Sequence, residues 1–160
     1  LTTLDEDAGR TAGDSVADII ASAGGDRITD ADGDPEGLFI ESFTTDFDHN
    51  GYWEFSLDEG TTWSLVNNYN TDLPLRATDR IRFVPSGYGP ETATLTVRAW
   101  DQTDLTAGTP ARDQATGGTT SLSTATETVA RTRELAGQAG DKAREIAADA
   151  VGATLRRTLR

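Results

Sequence analysis

Apolar and polar positions alternate most cleanly over residues 92–100 (TATLTVRAW), where Ala93, Leu95, Val97 and Ala99 share one face and Trp100 falls opposite. A period of two is the mark of a strand with one buried face. Residues 52–57 repeat it, with Trp53, Phe55 and Leu57 on one side and Tyr52, Glu54 and Ser56 on the other. Residues 80–85 (RIRFVP) turn Ile81 and Phe83 inward. Residues 37–43 (GLFIESF) form a nearly unbroken apolar run that predicts a buried strand, 73–75 a short one, and 61–66 a returning one. Turn chemistry separates these segments: Asn50-Gly51 is a strong hairpin signal, and Asp58-Glu59-Gly60 predicts a second tight turn. Residues 16–23 (VADIIASA) are too short for periodicity to decide between helix and strand. Residues 101–120 are a long Gly- and Thr-containing loop, expected to be mobile or functional.

Near residue 124 the pattern changes. Thr124 and Glu127 fit a helix capping box, and Leu135, Ala139, Ala143, Ile146 and Ala150 recur at helical spacing. Gly137, Gly140 and Gly152 each weaken such a helix by about 1 kcal/mol relative to Ala. The expectation is an all-β body, residues 1–127, followed by an α-helical tail, residues 128–160. Short strands between regular turns place the body among sandwiches and barrels.

Composition changes the picture through charge. The 160-residue chain carries a formal net charge of −13. Residues 1–127 hold 23 acidic side chains, 16 of them Asp, against 7 basic ones, whereas residues 128–160 hold 7 basic and 4 acidic. So acidic a body repels phosphate backbones and anionic membranes, which argues against nucleic acid as a partner. Asp favours turns, where it binds its own backbone or a hard cation. No Cys is present, so disulfides and thiolate metal sites are excluded. No run is long enough to span a membrane, and membrane insertion is not expected. The chain begins at Leu1 without a signal core, which reads as an internal piece of something longer.

Several landmarks in one order carry a resemblance: LTTLDED, ITDADGDPEGLFI, NGYWEFSLDEGTTW, RIRFVP, ATLTVRAWDQT and GGTTSLSTATET. Together they resemble the cadherin-like tandem modules of giant, RTX-type, calcium-dependent bacterial surface adhesins. The resemblance implies an Ig/cadherin-like antiparallel β-sandwich, extracellular or on the bacterial cell surface. Such a module is a non-catalytic spacer in an extended stalk. Its partners would be neighbouring repeat modules of the same chain, with any host or surface ligand bound through other domains. It also implies a calcium site near the module boundary, built here from Glu6, Asp30, Asp32 and Asp101, with Asp5 and Asp7 as close substitutes. Calcium takes six to eight oxygens, which the Asp30-x-Asp32-Gly33-Asp34 turn suits. The chain departs from the family in lacking a mid-module Asp-Arg-Glu motif and in its Ala- and Arg-rich tail.

Other motifs read more simply. Asp46-x-Asp48-x-Asn50-Gly51 begins like an EF-hand loop, but its twelfth position is Leu57 where a bidentate Glu is required, so a hairpin turn is the better account. Ser56-x-Asp58-x-Gly60-x-Thr62-Trp63 resembles the Asp-box hairpin of sialidase propellers, a structural turn found here once. His49, the single histidine, reads as a solvated loop residue. Trp53 is expected in the core. Trp100, with the 101–120 loop, is the candidate for an alternative reading, a glycan- or protein-binding sandwich. The tail's arginines read as a solvated or loosely docked helical face, with too little apolar surface to insert into lipid. No nucleophile elbow, phosphate loop or zinc signature is present, and no enzymatic activity is expected.

Overall fold

The structure, a computed structural model, describes residues 10–22, 36–44, 51–86 and 91–133. Among the described residues, eight strands and one short helix follow in the order β1 (Asp14–Ser15), α1 (Val16–Ser22), β2 (Gly37–Thr44), β3 (Tyr52–Ser56), β4 (Ser64–Leu65), β5 (Leu73–Leu75), β6 (Arg80–Val84), β7 (Glu91–Trp100) and β8 (Glu127–Arg133). They make two four-stranded sheets, β1-β6-β3-β4 and β5-β2-β7-β8, in which every pairing is antiparallel.

The two sheets share one core. Leu38, Ile40, Leu73, Leu75, Leu95, Val97 and Val129 from one sheet meet Trp53, Phe55, Ile81 and Phe83 from the other, with Val16 and Ile19 of α1 packed in. Trp53 and Phe83 sit opposite each other in register and tilt ring against ring, 5.4 Å between centroids. The alternation in β7 is thus read out as expected, with Ala93, Leu95, Val97 and Ala99 all inside.

Segment 16–22 becomes a helix because its first turn is capped. Ser15 Oγ accepts from the amide of Asp18 at 3.0 Å and donates to the Asp18 carboxylate at 2.6 Å, satisfying one of the amides that a helix start leaves open. The amides of Val16 and Ala17 donate to the carbonyls of Asp79 and Ala77. Those carbonyls belong to the turn from β5 to β6, which is closed by a fork from Arg76 onto the buried Asp79 carboxylate.

The start of the expected helical tail changes. Residues 127–133 are a strand paired along β7 from Glu127↔Val97 to Arg133↔Glu91, so the sheet runs six residues into the segment expected to be helical. The Thr124/Glu127 capping box opens no helix. Helix over the remainder of the tail lies outside the described residues. The 101–120 loop lies against the body. It returns beside β7, with the Asp101 amide donating to Ser121 and Leu122 bridging Trp100. Leu105, Ala107 and Ala111 pack on Phe39, Trp100 and Leu122, a second small core on the outer face of the sheet.

Candidate cation site at one end of the sandwich

Gly37 opens β2 opposite Trp100, the last residue of β7. The acidic run 30–36 therefore ends, and Asp101 begins, at the same end of the same sheet. The register requires a glycine here: a Cβ at residue 37 would stand 2.6 Å from the Leu75 carbonyl oxygen and 2.9 Å from Trp100 Cε3.

Asp101 is buried, 9% exposed. Its Oδ1 accepts from the Thr103 amide at 3.1 Å and the Thr103 hydroxyl at 2.7 Å. This is an Asx-type turn, which fixes the carboxylate's direction. Of the four expected ligands, Asp101 is the one the structure describes; Glu6, Asp30 and Asp32 lie outside the described residues, as do Asp5, Asp7 and Asp34. Among the described residues no group of three or more His, Asp or Glu side chains is placed to hold a metal ion. The donor set on offer is hard carboxylate oxygen, which suits calcium. Traced backward from Ser15, the N-terminal segment passes Thr11, whose carbonyl accepts from Arg82, and reaches Arg10 on the Tyr52 hydroxyl. Nothing in that stretch leads toward Asp101.

The chain matches no family model, no curated protein and no solved structure. What it does must be read from its own residues.

Several other acids are committed locally. Asp58 takes hydrogen bonds from the Thr62 amide (2.7 Å), the Thr62 hydroxyl (2.6 Å) and the Ser56 hydroxyl (2.7 Å). Those bonds, the Thr62 ones above all, hold its pKa down to about 2. Trp63 closes the turn by donating from Nε1 to the Gly60 carbonyl at 2.9 Å, so the Asp-box is a structural hairpin, as expected. Glu54 pairs with Arg82 across β3 and β6, with Arg82 stacked 3.8 Å from the centre of the Trp63 ring. Glu41 pairs with Arg98. The EF-hand-like run and His49 fall outside the described residues, apart from Gly51.

Two features were not foreseen. Arg131 of β8 is buried and pairs with Asp14 of β1, joining the edge strands of the two sheets. Burial pulls its pKa down to about 10, so it stays charged at neutral pH. No local signal marks it, because the partner lies at the other end of the sequence. The second is Trp100. It does fall opposite the Ala93–Ala99 face, but it is 2% exposed beneath the 101–120 loop. A sugar-stacking shelf at Trp100 is overturned: Leu105, Ala107 and Ala111 occupy the surface a ligand would need.

Proposed function

We propose that this chain is a non-catalytic spacer module of a large bacterial surface or secreted adhesin, stiffened by calcium and strung with sibling modules into a stalk. The observation that supports the proposal is the Gly37–Trp100 pairing, which sets the start of β2, just after the Asp30–Asp34 run in sequence, at the same end of the sheet as Asp101. An ion held there would neutralise carboxylates that otherwise repel one another, and would favour the folded form.

Strand order supports the Ig/cadherin-like part of this reading. With β1, β6 and β3 as strands B, E and D, and β2, β7 and β8 as C, F and G, the sheets follow the B-E-D and C-F-G order of Ig sandwiches. The B–C and F–G connections of that arrangement share an end, which is where Asp101 sits. Asp30 and Asp32 are its proposed fellow ligands; Glu6 is proposed from the resemblance alone, since the described stretch 10–15 gives it no support.

Calorimetric titration of the full chain with calcium tests the site. Saturable binding, weakened at least about tenfold by Asp101→Asn, is expected for loss of a direct ligand. No heat of binding, or binding indifferent to Asp101→Asn, would remove Asp101 from the site.

A further inference from the structure

The ion pairs of the body differ in what they join. Glu54–Arg82 lies within one sheet, Glu41–Arg98 within the other, and Arg76–Asp79 within one turn. Asp14–Arg131 crosses from β1, on the edge of one sheet, to β8, on the edge of the other. Its side chains are only 14% and 8% exposed. The core between the sheets is apolar, and its attraction has no direction. A buried ion pair is directional, and stronger in low-dielectric surroundings than in water.

The place of the pair along the strands gives it a load to bear. Leu75 pairs with Leu38, next to Gly37, and the turn 76–79 leads from Leu75 to Arg80. The start of β6 is therefore at the Trp100 end of the sandwich. Val84 is at the opposite end, where β7 begins with Glu91 facing Arg133. β1 runs antiparallel to β6, Asp14 against Ile81 and Ser15 against Arg80. The stretch before it comes in from the Val84 end, with Arg10 on the hydroxyl of Tyr52, the residue opposite Val84. Residues 10–14 and 131–133 thus meet the body at one end, each on its own sheet.

A pull that separates these two stretches peels the edges contact by contact. On the β8 side it breaks Arg133↔Glu91 and Thr132↔Thr92, then reaches Arg131. On the β1 side it strips Thr11 from Arg82, and Ala12 and Gly13 from Arg80, then reaches Asp14. Both fronts arrive at the same ion pair. We propose that Asp14–Arg131 is a mechanical staple, which ties the two edge strands together and sets how long the folded body survives a pull between them. Its use in a stalk rests on the spacer reading; its measurement does not.

The test is constant-force spectroscopy on the full chain. The sequence has no native cysteine, so handles attach at Ala12→Cys and Arg133→Cys. A second pair of handles, Ser64→Cys and Ala115→Cys, loads β4 and the 101–120 loop and leaves the staple off the path. At a given force, Asp14→Asn with Arg131→Met should shorten the folded lifetime at least about tenfold between 12 and 133, and at most about twofold between 64 and 115. Chemical denaturation should find that variant close to the parent, since uncharged side chains often replace a buried ion pair at little cost. Arg131→Lys keeps the charge without the guanidinium and should also shorten the 12–133 lifetime selectively, which keeps the staple testable if the double variant does not fold. A 12–133 lifetime unchanged by both variants, lifetimes shortened equally in the two geometries, or an effect confined to calcium each overturns the inference. Runs in calcium and in chelator separate the two proposals. The staple acts in both, whereas melting indifferent to calcium counts against the Asp101 site alone.

Discussion

At the scale of single residues, this fold depends on a few positions where neighbours leave no alternative. Gly37 is one. A methyl group there meets the Leu75 backbone oxygen and the Trp100 ring, neither free to withdraw, so Gly37→Ala should destabilise the chain by about 1–3 kcal/mol, the usual cost of overpacking. Chemical denaturation would register this as a lowered midpoint at unchanged slope. Arg131 is another. Removing a partner from a buried pair typically costs about 3–5 kcal/mol, because the remaining charge is stranded. Arg131→Ala should therefore be far more harmful than Asp14→Asn combined with Arg131→Met, and a double-mutant cycle on the melting curves would expose the coupling. Asp58 carries a pH signature. Its folded pKa is depressed from 3.8 to about 2, so its contribution is complete above pH 4 and fades as pH falls through that interval. Asp58→Asn should flatten that part of the acid-denaturation profile; an unaltered profile would show that the Thr62 and Ser56 bonds do not persist in solution.

At the scale of elements, β7 organises the structure and β8 completes it. β7 lies between β2 and β8 and contributes to both apolar clusters, through Ala93, Leu95, Val97 and Ala99 on one face and Trp100 on the other. Cutting the chain after residue 133 should leave a cooperatively folding domain. Cutting after residue 126 removes Val129 from the core and Arg131 from Asp14. Thermal melts of the two truncations should differ sharply, and equal stability would mean that β8 contributes little.

The same elements show what the amino-acid pattern reveals and what it conceals. The inward faces of β3, β6 and β7 were legible, because simple alternation puts Trp53, Phe55, Ile81, Phe83, Leu95 and Val97 on one side. β8 was not. Its inward positions are Glu127, Val129 and Arg131, so two of its three buried side chains are charged, and beside an Ala- and Arg-rich stretch the segment looks helical. Only a partner distant in sequence, Asp14, makes Arg131 acceptable inside. The cover over Trp100 was hidden for a related reason. Leu105, Ala107, Ala111 and Leu122 are spaced without period in a loop, and only the return of the chain beside β7 gathers them. Of the expected cation ligands, Asp30 and Asp32 stand close together in the sequence, whereas the place of Asp101 at the end where β2 begins depends on the register of β2 against β7.

At the scale of the whole molecule, the governing quantity is its acidity. A net charge of −13 on 160 residues favours solubility but works against compactness. Two remedies are visible: arginines set into the body against Glu41, Glu54, Asp14 and Asp79, and Asp carboxylates turned onto hydroxyls and amides, as at Asp58 and Asp101. A bound divalent ion at the Asp101 end would be a third, and the spacer reading depends on it.

The most direct measurement is the melting temperature of the full chain in chelator and in 10 mM calcium, with sodium and magnesium controls at matched ionic strength. For a site with a dissociation constant near 1 mM, linkage gives about 1.4 kcal/mol of stabilisation at that concentration. That corresponds to a rise of roughly 2–6 °C, specific to calcium, and Asp101→Asn should reduce it. An identical melting temperature in chelator and calcium, or the same rise with sodium alone, would contradict the account.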